Sequence, residues 1–214
     1  MNSLDLAVPF LISIAVSIGG CTYFERVHPN LRITKQKPAH FKGAEQTLQN
    51  VCILLVACCP QFNVPSTNAF LWPMIFWYCI AEFWFAFSHR LMHSRRLYRF
   101  HKQYHTDTSP PTASDVLNCS IVELFVVNIA SVMIGPLLIP ADYLTMCIWI
   151  FITSSQATLG HSNLVGQSEV HSIHHARCNV NYGTGLYLLD RLLGTYSSGA
   201  TCPSSTLADS STPL

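Results

Sequence analysis

The residues with the clearest chemical potential are histidines. Ten occur in 214 residues, and eight of them fall into spaced groups. His89 and His93 stand four apart, as do His101 and His105. His171, His174 and His175 are related as i, i+3 and i+4. On a helix each of these spacings projects the rings from one face. His161 stands alone ten residues ahead of the last group, while His28 and His40 sit apart in an early basic stretch. A single boundary histidine is ordinarily an interfacial polar residue. Eight that converge are different, because groups able to become cations avoid one another unless something binds them. Imidazole suits zinc, copper, iron and nickel. Eight nitrogen donors exceed the four of a tetrahedral zinc, so two metal ions are the economical reading.

Long apolar segments must carry these groups to a common place. A membrane span needs about 20 mostly apolar residues, and the runs 6–23, 68–88, 116–139 and 143–160 approach that length. A fifth, 48–59, is short; with Pro60 and the uncharged stretch to Thr67 it reads as the first leg of a hairpin into 68–88. All twelve basic residues lie in three stretches: Arg26 to Lys42, Arg90 to Lys102, and Arg177 with Arg191. Placing all three in the cytosol satisfies the positive-inside bias. The chain then enters through 6–23 and forms two hairpins, 48–88 and 116–160. His89 and His161 both emerge at the cytosolic face, because the turn Ile139–Asp142 returns the second hairpin. The expected fold is all-α: a multi-pass membrane bundle of four to five spans with a histidine-rich cytosolic cap.

The composition agrees. Half of the residues are apolar, 11% are charged and the net charge is +1, roughly half the charge density of a soluble domain. That excludes nucleic acid as an expected partner. The nine cysteines contain no Cys-x-x-Cys pair, and most lie in or beside apolar runs, so they read as small buried hydrophobes rather than thiolate ligands. The first apolar run has no basic residues before it, which reads as a retained anchor and not a cleaved signal. The expected organisation is an anchor and basic loop over 1–47, a catalytic membrane domain over 48–196 and a Ser/Thr/Pro-rich disordered tail over 197–214.

Three boxes and a closing motif carry a resemblance. His89-Arg90-Leu91-Met92-His93, Leu97-Tyr98-Arg99-Phe100-His101-Lys102, His171-Ser172-Ile173-His174-His175 with Asn181-Tyr182-Gly183, and Leu189-Asp190-Arg191-Leu192-Leu193-Gly194-Thr195 resemble the fatty acid hydroxylase and sterol desaturase superfamily over roughly residues 68 to 196. Leu91 to Tyr98 is most similar to its C-4 methylsterol oxidase-like branch. The resemblance implies an endoplasmic reticulum membrane enzyme with two iron ions, ligated by His89, His93, His101, His105, His161, His171, His174 and His175. It implies hydroxylation, oxidation or desaturation of an alkyl carbon of a sterol or fatty acyl lipid, with dioxygen. It also implies electrons from a donor of the cytochrome b5 type, expected to be a separate protein because this sequence holds no His-Pro-Gly-Gly haem motif.

Two departures from the family pattern bear on the site. The second box normally reads His-x-x-His-His, whereas here it is His101-Lys102-Gln103-Tyr104-His105. Tyr104 is therefore an altered ligand, since tyrosinate binds ferric iron, or the mark of a family member that has lost turnover and serves a regulatory or lipid-binding role. The second departure is Asn118-Cys119-Ser120 ahead of Glu123, where relatives often carry His-Pro. Asp107, Glu169, Asn179, Asn181 and Asp190 lie near the boxes and are the candidates to orient ligating rings. Glu82 stands seven residues before His89, on its face and about 10 Å deeper. With Ser154 and Thr158, which share a face with His161, it is a candidate for a substrate channel; hydrogen bonding between helices is the alternative use of those hydroxyls. Glu123, at the start of its span, is expected to reach the interface. A metal transporter would place ionisable groups along several spans, and the clustering at one end argues against it.

Overall fold

Helix propagates through apolar runs until a residue that prefers to bond its own backbone, or one lacking an N–H, interrupts it. A computed structural model describes residues 4–31, 71–105, 111–162 and 164–199. Among these every regular element is helical, as expected. Besides two single-turn 3-10 helices, Pro29–Leu31 and Ala113–Asp115, they are in chain order α1 (Leu4–Val27), α2 (Leu71–Met92), α3 (Tyr98–His101), α4 (Ile121–Leu138), α5 (Tyr143–His161), α6 (Gln167–Arg177) and α7 (Leu188–Leu193). One of them, α4, is both long and apolar enough to cross a membrane; α2 and α5 run for 22 and 19 residues. The expected first hairpin leg at 48–59, its turn at 60–67 and most of the basic loop that holds His40 lie outside the described residues.

The expected second hairpin is present, with one boundary moved. Residues 116–120 are not helical, and α4 begins only at Ile121 because the Ser120 side chain accepts a hydrogen bond from the Glu123 backbone N–H at 3.2 Å, the usual role of a serine at a helix start. At the other end of the hairpin the Asp142 carboxylate accepts from the Thr145 N–H (2.9 Å) and hydroxyl (2.7 Å) and starts α5.

Three indoles lock α4 to its neighbours. Pro136 lacks the N–H that would bond the Val132 carbonyl four residues earlier, and the Trp149 indole of α5 donates to that carbonyl at 2.9 Å. Trp77 of α2 donates to the Ile139 carbonyl left free at the helix end (3.0 Å), and Trp84 to Val126 (2.8 Å). Val126 lies in a π-helical turn, Leu124–Ile129, a distortion that recurs near functional sites. Gly135 permits this closeness: a Cβ there would fall 2.8 Å from the Trp77 Cα. α1 lies along α5, with Ser17 and Ser155 hydroxyls 3.0 Å apart.

α6 and α7 cap one end of α2 and α5. Between them runs a loop in which Cys178, Asn181 and Tyr187 adopt left-handed φ values of 59°, 54° and 54°. Such strain persists only where surroundings impose it. The chain remains tied down past Tyr196, since the Ser197 N–H donates to the Asn181 side chain at 2.7 Å; the rest of the expected tail beyond residue 199 lies outside the described residues.

Candidate metal centre

Helix ends supply the donors. His89 is in the last turn of α2 and His93 just beyond it; His101 ends the short α3 and His105 follows in a turn; His161 closes α5; His171, His174 and His175 share α6. The expected helix through His105 is instead a turn, which aims Tyr104 and His105 at different neighbours. All eight expected histidines meet here, in two sets. His89, His93, His101, His105 and His174 form one, and His161, His171 and His175 the other, each with its donor atoms within 4.8 Å of one another. His28 is elsewhere, packed against Phe24 with the two rings tilted 42° apart.

The partners of the outer nitrogens define the tautomers. His89 Nδ1 donates to the Tyr182 carbonyl (2.7 Å), His174 Nδ1 to the Val180 carbonyl (2.7 Å) and His161 Nδ1 to the Ala157 carbonyl (2.9 Å). A carbonyl only accepts, so these nitrogens carry the protons and each Nε2 holds a lone pair. His101 Nδ1 in the same way faces a Glu123 carboxyl oxygen at 2.8 Å. The Nε2 atoms then crowd together: His89 to His101 at 3.1 Å, His93 to His174 at 3.2 Å, and His101 to both His93 and His105 at 2.9 Å. Between His89 and His101, whose protons both sit on Nδ1, two lone pairs at that separation cannot satisfy one another. In the second set His161 Nε2 is buried with no partner, as is His175 Nδ1. Burial holds all eight rings below the ordinary histidine pKa, with neighbouring imidazoles adding to the effect at most of them. Buried neutral imidazoles with inward lone pairs are a donor set that fits metal cations.

The residues that orient the rings differ from expectation. Glu123 is 1% exposed and bonded to His101, so it does not reach the interface; nothing in its sequence surroundings signalled a partner 22 residues back. Asp190 and Asn181 touch no imidazole. Asp190 accepts from the Tyr182 N–H (3.0 Å), the Gly183 N–H (2.6 Å) and the Thr195 hydroxyl (2.7 Å). Asn181 donates to the Val170 and Ser197 carbonyls at 3.0 and 2.8 Å. Together they hold the strained loop that presents the Val180 and Tyr182 carbonyls. Glu169 and Asn179 make no side-chain hydrogen bond among the described residues, and Asp107 lies outside them.

Tyr104 is buried, with its hydroxyl 2.9 Å from His171 Nε2 in the three-histidine set. A cavity of about 130 Å³ opens on that side, bounded by Tyr104, His161 and His171. Glu82, Ser154 and Thr158 line it, and it reaches Trp149, twelve residues and about 18 Å down α5. Glu82 also accepts from the Leu186 and Leu188 N–H groups (3.0 and 3.3 Å) and the Tyr78 hydroxyl (3.2 Å), tying the cap to α2. The Thr158 hydroxyl bonds the Ser154 carbonyl of its own helix, at 2.8 Å, and makes no link between helices. Tyr78, Gln156 and Thr184 are polar wall residues that sequence patterns did not single out.

The family model described as fatty acid hydroxylase matches residues 74–195, over half of the chain. Human fatty acid hydroxylase domain-containing protein 2 is 30% identical over 138 residues, covering 62% of this chain and 41% of the relative. A putative methylsterol monooxygenase of Dictyostelium discoideum is 26% identical, covering 62% and 54%. A very-long-chain aldehyde decarbonylase of Oryza sativa subsp. japonica is 22% identical, covering 69% and 65%. The chain spans about half the length of the curated relatives it matches. No solved structure matches it.

Proposed function

The chain belongs to the fatty acid hydroxylase family, and from that premise we propose that it is a membrane-bound di-iron oxidoreductase that hydroxylates, oxidises or desaturates an alkyl carbon of a lipid. The observation that carries this reading is the pairing of two convergent, buried imidazole sets with a largely apolar cavity that ends on one of them. When bound, iron would supply the oxidant for an unactivated C–H bond, using dioxygen and two electrons from a separate donor of the cytochrome b5 type.

The chain's own residues do the remaining work. The carbonyls of Tyr182, Val180 and Ala157 and the carboxyl group of Glu123 hold the rings with lone pairs inward. Ile150, Trp149, Val132 and Met133 supply apolar walls that suit a sterol or fatty acyl chain and keep water from the reacting carbon. Exposed apolar side chains on the long helices, such as Ile75 and Phe83 on α2, Leu137 on α4 and Phe151 on α5, support a membrane-embedded bundle; four to five spans, the endoplasmic reticulum and a cytosolic histidine cap are the remainder of the proposal. The methylsterol monooxygenases among the relatives favour a sterol.

The test begins with metal identity and count per chain by plasma mass spectrometry, on protein purified in mild detergent. Two irons are expected. Sterol and acyl lipids are then incubated with the loaded protein and a reduced b-type donor, and products are read by mass. His89→Ala and His174→Ala should abolish turnover, and retained turnover in either rejects the mechanism. Tyr104, where the family pattern has a ligating histidine, supports a second reading: a family member without turnover that serves a regulatory or lipid-binding role. Folded protein that takes up one iron or none would favour it.

A further inference from the structure

We propose that Tyr104 is a metal ligand, its phenol oxygen completing the His161–His171–His175 set, so that the two metal positions are chemically unlike. One position would be served by five imidazoles, the other by three imidazoles and a phenolate. The proposal rests on the reading of the centre as an iron site and adds to it which set the tyrosine joins.

The turn after α3 decides the placement. His101 and His105 turn their Nε2 atoms into the five-histidine set, where they approach to 2.9 Å. Tyr104, between them, stacks its ring on His101 at 5.2 Å but sends its hydroxyl the other way, to 2.9 Å from His171 Nε2, with its ring 4.9 Å from that of His175 and 5.2 Å from that of His161. A phenol acting only as a donor to His171 would satisfy one nitrogen of the set and leave His161 Nε2 buried without a partner, at a cost that cation binding removes. Other phenols near the centre are committed differently. The Tyr182 hydroxyl donates to the Cys178 carbonyl at 3.3 Å, and the Tyr98 ring packs on His93 and His105 of the five-histidine set.

Coordination balances simply. Oxidation by ferricyanide takes one electron from each iron(II). The phenol O–H bond breaks as the oxygen–iron(III) bond forms, and the proton leaves to the buffer. An anionic oxygen donor favours iron(III) over iron(II), and the cavity opens on this same position. A bound lipid would therefore meet the phenolate-bearing metal.

The full chain, in detergent, is loaded anaerobically with iron(II), its iron counted, and then oxidised with ferricyanide. Two irons per chain are expected, with a broad visible phenolate-to-iron charge-transfer band. Resonance Raman excited in that band should enhance tyrosine ring modes that shift when the protein carries ring-deuterated tyrosine. Tyr104→Phe should lose the band while keeping the iron of the five-histidine set; Tyr104→His should lose the band and keep both irons. Two irons without a band, or a band that survives Tyr104→Phe, overturns the proposal and leaves the iron site standing. One iron and no band likewise overturns it. A chain that binds no iron removes the underlying reading as well. The deuterium shift needs no variant, so a misfolded Tyr104→Phe protein does not block the test.

Discussion

Replacing Glu123 by alanine should weaken one metal position and spare the other. The Glu123 carboxyl oxygen sits 2.8 Å from His101 Nδ1, with side-chain exposures of 2% and 0%. Removal leaves a buried N–H unpaired, which costs about 1–3 kcal/mol, and frees the ring to turn. Losing such a supporting partner typically costs about 10–100-fold in metal affinity, or about 1.4–2.8 kcal/mol at 1.4 kcal/mol per tenfold. The two estimates agree, and Glu123 bonds a ring of the five-histidine set alone. A competition titration with a chromophoric iron(II) chelator resolves two binding constants. In Glu123→Ala one should fall by about 10–100-fold and the other stay within about threefold. Glu123→Gln keeps a carbonyl oxygen that can accept from Nδ1 and should recover most of the loss. Unchanged constants would refute the reasoning. So would an equal fall in both, or a glutamine variant as impaired as alanine, because either would mean that general packing rather than ring orientation is at stake.

Asp190→Ala deprives the Tyr182 and Gly183 N–H groups and the Thr195 hydroxyl of their acceptor. At about 1 kcal/mol per bond the loss is about 3 kcal/mol, a fall of about 10 °C in thermal midpoint for a chain of this size; an unchanged midpoint would show that the loop does not depend on it. The metal-free protein should also lose stability in acid. Burial lowers the eight imidazole pKa values, to about 4 for His174 and about 3 for His93. The unfolded chain takes up protons near pH 6.5, while the folded rings refuse them until lower pH. Stability is therefore intact above pH of about 6.5 and declines below it, by up to about 1.4 kcal/mol per pH unit for each ring, until the folded rings protonate. Thermal melts of metal-free protein at pH 7.5 and pH 5 check this, and equal midpoints would contradict it.

Periodicity and local bonding made part of this molecule legible in advance. The spacings of His89 with His93 and of His171 with His174 and His175 are visible in any helix, and the Pro140–Asp142 turn returns α5, whose start the Asp142 carboxylate caps. The all-helical fold follows from such short-range rules, and the gathering of eight imidazoles was read from the apolar runs and the placing of the basic stretches. The helix expected through His105 did not form, and the run from 116 lost its first turn to the Ser120 cap.

The division of those imidazoles into five and three belongs to the tertiary structure. It depends on where α6 crosses the ends of α2 and α5, a matter of packing between segments far apart in sequence. For the same reason Glu123 meets His101 inside the protein, and Tyr104 turns toward His171, 67 residues away. Asp190 and Asn181 are near the boxes in sequence yet act on the backbone, where the carbonyls of Val180 and Tyr182 orient His174 and His89. Every residue has such a carbonyl, so no residue type announces which will be used. The sequence by itself determined which donors exist and that they gather; only the folded chain decided which donor faces which, because that is set by long-range packing and by backbone groups common to all residues.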